Sequence, residues 1–86
     1  MKFKIGMQVQ LVSFNGETKA PVTIRDCDNF WKLIGERGEV VSCDPLPGIS
    51  NDRILIRFAH PLDALGLANH NQHSNSLWIK KTDLLI

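Results

Sequence analysis

The sequence predicts an all-β chain folded as one small five-stranded barrel, on three observations. Short runs with apolar residues at alternating positions recur at residues 7–14, 38–44, 53–58 and 77–79, the length and period of half-buried strands. Segments rich in Pro, Gly, Asn, Asp and Ser separate them, the pattern of sandwiches and small barrels. The chain closes on Leu77-Trp78-Ile79, a polar turn from Lys80 to Asp83, and a last apolar run, Leu84-Leu85-Ile86.

In chain order, Gly6 permits a tight entry into the first strand, where Val9 and Leu11 alternate with Gln8, Gln10 and Val12. Asn15-Gly16 is a hairpin-turn dipeptide. A long insert follows. In it, Pro21 to Arg25 fits a short edge strand, with Pro at the tolerated first position. Asp28 is an N-cap candidate for a turn of helix through Leu33, stopped by Gly35. The alternative is an irregular loop whose aromatics fold back onto the barrel. The second strand, 38–44, ends at a loop carrying Pro45, Pro47, Gly48, Ser50, Asn51 and Asp52. In the third, Ile54, Ile56 and Phe58 share one face between flanking arginines. Residues 59–76 form the longest irregular stretch. It begins with a single helical turn between Pro61 and Gly66 and continues as the wholly polar run Asn69-His70-Asn71-Gln72-His73-Ser74-Asn75-Ser76. A polar loop of this length in so small a domain points to function or mobility.

Eighty-six residues allow one domain, residues 1–86. A chain of this size buries only about 60–65% of the surface its unfolded form exposes, which disfavours a deep enclosed active site. Apolar content of 43% and charged content of 22% suit a globular fold rather than disorder. A net charge of +1 gives no electrostatic case for nucleic acid or an anionic membrane. No run of 18 apolar residues is present, so no membrane association is expected. The start, Met1-Lys2-Phe3-Lys4-Ile5-Gly6, lacks the apolar stretch of a secretory leader, so a cytoplasmic location is the expectation. Cys27 and Cys43 are then expected as reduced thiols.

Three stretches carry a resemblance. Gly6-Met7-Gln8-Val9-Gln10-Leu11-Val12, Gly35-Glu36-Arg37-Gly38-Glu39-Val40-Val41, and Leu77-Trp78-Ile79 with Asp83-Leu84 resemble the opening strand, the Gly-x-x-Gly-x-Val signature and the closing strand pair of bacterial SH3-like barrels, KOW-like domains among them. The resemblance covers about two thirds of the chain and implies a five-stranded SH3-like barrel, with a long insert after strand 1 and a long polar loop before strand 4. It implies no activity by itself. A narrower comparison is with type II dihydrofolate reductases, also SH3-like barrels, whose pore strand reads Val-Gln-Ile-Tyr. The similar stretch here, Leu77-Trp78-Ile79-Lys80, has Trp78 and Lys80 in place of that Gln and Tyr. The barrel of nitrile hydratase small subunits is a further relative in architecture and implies protein docking.

Chemistry-bearing patterns are sparse. His70 and His73 lie three residues apart, and His60 or Cys43 would be needed to complete a metal set. No Cys-x-x-Cys or His-Glu-x-x-His is present, and the plainer reading is a solvated loop bonding its own backbone. Cys43 beside Asp44 is a poor thiolate, since the adjacent negative charge opposes ionisation. No metal site, cofactor or catalytic residue is expected, and the chain reads as a non-enzyme, with a metal-dependent or type II dihydrofolate-reductase-like enzyme as the lowest alternative. Six aromatics with Lys32, Arg57, Lys80 and Lys81 nearby keep nucleic-acid binding as a weaker alternative. The leading expectation is a binding module for a protein partner or a second copy of itself. Its groove would lie between residues 28–31 and the 69–75 loop. The candidate binding residues are Phe30, Trp31, Asn69, His70, Asn71, His73, Asn75 and Trp78. Phe30 and Trp31 are expected to be exposed, because two adjacent aromatics cannot easily both point inward from one turn.

Overall fold

The computed structural model describes residues 3–69 and 74–86. Among them, β1 (Gln8–Leu11), β2 (Arg37–Ser42), β3 (Arg53–Phe58), β4 (Ser76–Lys80) and β5 (Leu84–Leu85) form one antiparallel sheet in the order β4-β3-β2-β1-β5. The rest of the regular structure is 3₁₀ turns at Asp26–Asp28, Phe30–Leu33, Asp63–Leu65 and Lys81–Asp83. The domain is therefore predominantly β, as the alternation predicts. The sheet has no ladder joining its edge strands β4 and β5.

The alternating residues sort as their spacing requires. Val9, Leu11, Val40, Ile54, Ile56, Phe58, Leu77, Ile79 and Leu84 meet in one buried cluster. Leu33, Leu62 and Leu67 from the connections close it. Three expectations need correction. Residues 21–25 form a turn rather than a strand, with the Ile24 N–H donating to the Pro21 carbonyl at 3.1 Å and Val22 fully exposed. Pro21 removes a ladder donor there, and Val22 buries nothing that would offset ordering. Asp28 does not cap a helix. It ends the first 3₁₀ turn, and its carboxylate accepts from the Arg25 guanidinium at 2.7 and 2.9 Å instead. β1 stops at Leu11 rather than Phe14, because Asp83 takes over the hydrogen bonding of the residues that follow.

That takeover shapes the sheet. β4 and β5 are its two edges, yet only Lys81–Asp83 connects them. Five flat strands would set the edges about 19 Å apart at ~4.8 Å per strand. Three 3₁₀ residues at ~2 Å each cannot span that distance, so the sheet curls enough to bring the end of β4 near the start of β5. Asp83, only 1% exposed, holds the corner. Its carbonyl accepts from Val12 N–H at 2.9 Å. Its carboxylate accepts from Ser13 Oγ at 2.5 Å, Asn15 N–H at 2.9 Å and Gly16 N–H at 3.0 Å. The Asn15–Gly16 turn presents both N–H groups to one carboxylate because its φ angles are +53° and +81°, which Asn and Gly tolerate. Arg53 adds a strut, donating to Asn15 Oδ1 at 2.6 Å and to the Trp78 carbonyl at 3.0 Å.

β2 and β3 approach closely at Gly38. A Cβ there would lie 2.6 Å from Ile56 Cγ2 and 2.8 Å from the Arg57 carbonyl oxygen. Gly38→Ala should therefore cost about 1–3 kcal/mol of unfolding free energy through overpacking, read as a lowered urea midpoint. Asp83→Ala strands a hydroxyl and two N–H groups and should cost about 3 kcal/mol in the same measurement.

Candidate functional site

The insert after β1 builds an aromatic cluster rather than an exposed platform. Phe14, carried on the Asp83-held turn, meets Trp31 edge-on at 4.8 Å between ring centroids and Phe30 at 5.7 Å. Phe30 is 8% exposed and belongs to the core, and Trp31 is half-buried against it. The expected outward display of both rings is thus corrected. A tight 3₁₀ turn, with Phe14 as a shared partner, lets both neighbours turn inward. The Trp31 indole Nε1 and the Asn29 Oδ1 are buried without hydrogen-bond partners.

The expected groove is bridged by backbone. Ala68 N–H donates to the Cys27 carbonyl at 2.9 Å, and Lys32 Nζ reaches the Leu65 carbonyl at 3.4 Å. The Asn69 side-chain oxygen accepts from Ser76 N–H, and that of Asn75 accepts from Leu62 N–H, both at 3.1 Å. Asn75 itself sits at φ +56°. These two asparagines shape the loop through their own side chains. His70, Asn71 and His73 lie outside the described residues. Among the described residues, no three His, Cys, Asp or Glu side chains gather where they could hold a metal ion. Cys43 Sγ lies 3.7 Å from the Phe3 carbonyl, and both cysteines are free and half-buried.

Trp78 is placed differently. It lies between Leu77 and Ile79, which face the core, so it stands on the outer face of the sheet, directly opposite Leu55. Leu55 is 3% exposed although it too points away from the core cluster. Ser42 follows in the same cross-strand row, beside a register shift that leaves Val41 in a bulge. The next row runs Ser76, Arg57, Glu39, Gln8 across β4, β3, β2 and β1. Arg57 donates to Glu39 at 3.0 Å. Gln8, Glu39, Arg57 and Ala59 wall an open cleft of about 220 Å3, with Gly38 and Phe58 also lining it. Asn75 adjoins this cleft, its carbonyl accepting from Phe58 N–H at 2.8 Å.

Two bonds frame the β3–β4 ladder, Phe58 N–H to the Asn75 carbonyl and Lys81 N–H to the Asp52 carbonyl. Between them, Ser76, Trp78 and Lys80 turn their own N–H and C=O groups away from β3. Asn69 and Arg53 engage two of those groups, at Ser76 and Trp78.

Of the expected residues, Asn75 and Trp78 thus flank the outer face, while Phe30 and Trp31 belong to the aromatic cluster. Gln8, Glu39, Leu55 and Arg57 were not among the candidates. Their alternation marks them as outward, but only the strand register brings them together. Because Trp78 packs outside the core, Trp78→Ala should cost only about 1 kcal/mol, the scale of a cross-strand pair. Ile56→Ala in the same urea titration should cost about 2–5 kcal/mol. No family model matches the chain, and no curated protein and no solved structure matches it.

Proposed function

We propose that the chain is a non-enzymatic protein-binding module of the SH3-like barrel kind, working in the cytoplasm. The order of its strands supports the barrel reading, since a one-turn 3₁₀ connector delivers the last strand beside the first. The observation that carries the binding reading is the outer face itself. Trp78 is paired with Leu55 there, Lys80 and Arg57 follow on the same two strands, and the row of Arg57 continues through Glu39 to Gln8. An aromatic anchor with an arginine beside it and a polar rim is the composition of protein interfaces. The cleft next to it offers both charges and an amide, which suits the mixed polar groups of a protein surface.

Nucleic acid fits this face less well. Five of the six aromatics lie in the core or pack against it, which leaves Trp78 as a single ring where a strand of bases needs several. Arg57 is engaged by Glu39 rather than free for phosphate. Catalysis has no support in the cleft, where the only ionisable groups, Arg57 and Glu39, hold each other.

A chemical-shift titration tests the proposal. The probes are peptides selected on the domain from a random library, a short pyrimidine RNA, and the domain itself over a dilution series. The expected result is movement of the Trp78 indole and of the Gln8, Glu39 and Arg57 amides with peptide or on self-association. Trp78→Ala should then weaken the interaction by about thirtyfold, the scale of a hot-spot residue. Movement of those signals by RNA alone, or of none of them by any probe, would overturn it.

A further inference from the structure

Asn15-Gly16 is the one Asn-Gly step in the chain, and it lies inside the Asp83 corner. Asn-Gly is chemically special because glycine offers no side chain to hinder attack by its own backbone nitrogen. In that reaction the Gly16 nitrogen attacks the Asn15 side-chain carbon and loses its proton to solvent. The side-chain nitrogen leaves as ammonia, and a five-membered succinimide closes. Water then opens the ring to an aspartyl or an isoaspartyl residue, so the net exchange is one water in and one ammonia out.

The attacking nitrogen and the side-chain amide oxygen are both engaged in the folded protein. The Gly16 N–H donates to Asp83 Oδ1 at 3.0 Å, and an anion beside that N–H opposes its ionisation. The Asn15 N–H donates to Asp83 Oδ2 at 2.9 Å. The Asn15 side-chain oxygen is gripped by Arg53 at 2.6 Å, which restrains rotation of the amide. Asn15 itself is exposed, and water reaches the turn freely.

We propose that Asn15 is a deamidation site gated by the Asp83–Arg53 clamp. The folded corner suppresses the reaction, and local opening of the corner releases it. The product cannot rebuild the corner. An isoaspartyl linkage adds a backbone methylene to a two-residue turn, and either product sets a new carboxylate beside Asp83. Opening is therefore recorded covalently and in one direction.

Peptide mapping with mass detection over a mildly alkaline incubation tests this, with the chain's remaining asparagines as internal references. Folded wild type should deamidate at Asn15 at least about tenfold more slowly than the same chain in urea, as a local opening of modest cost gives. Asp83→Asn and Arg53→Met, each checked for folding by slow exchange of the Ile54 and Ile56 amides, should lift the native rate toward the urea rate. Asn15 reacting as fast in folded wild type as in urea would overturn the proposal. So would a folded Arg53→Met and a folded Asp83→Asn that both stay as slow as wild type. If Asp83→Asn does not fold, Arg53→Met and the wild-type comparison decide the matter alone.

Discussion

One buried carboxylate carries the constraint on which the rest depends. β5 is two residues long and pairs with β1 at only two positions, too little to hold a strand in place by itself. Asp83 supplies what the ladder lacks, joining residues 67 to 70 positions away through charge-assisted bonds. Since the turn it grips also carries Phe14, the same carboxylate sets the ring against which Phe30 and Trp31 pack. The curl of the sheet, the docking of the insert and the seating of the last strand all trace to this residue. Arg53 extends its reach to β4 through Asn15 and the Trp78 carbonyl.

The curled sheet then divides labour between its faces. Its inner side is filled by apolar residues, three phenylalanines among them, from all five strands and the connections. Its outer side holds a small second grouping, Leu55 with Trp78, that the core does not need. A domain with one core has no structural reason to bury a leucine on its solvent side, and that asymmetry draws attention to this face. The charged row beside it is balanced, Arg57 against Glu39, so it offers orientation and selectivity rather than a strong field.

Much of the fold is legible from local pattern. β3 falls on residues 53–58 as the alternation indicates, and the Asn15–Gly16 and Lys81–Asp83 turns sit where their residue types place them. What pattern conceals is partnership at long range. Asp83 reads locally as a turn residue, and nothing in its neighbours announces Ser13 or Gly16. Phe30 and Trp31 read as outward-facing, because the sequence does not reveal that Phe14 lies across from both. The polar run holding Asn69 and Asn75 reads either as a ligand-facing loop or as one bonding its own backbone, and pattern does not name Ser76 and Leu62 as the N–H groups that donate to their side-chain oxygens. The proposed outer-face site is hidden for the same reason. Gln8, Glu39, Arg57 and Ser76 are scattered over the chain and become one row only through the register of four strands.

The border of β4 carries a further consequence. An edge strand of five residues can act as a template on which another chain adds, and repeated addition leads to fibres. Here the Ser76 N–H is already given to Asn69, and the Trp78 carbonyl is already taken by Arg53. A copy arriving at this border would have to displace an amide and a guanidinium before it could zip, and Lys80 adds repulsion between like strands. Two backbone groups of this peripheral strand are thus committed within the chain, which makes it a poorer template than its length alone suggests.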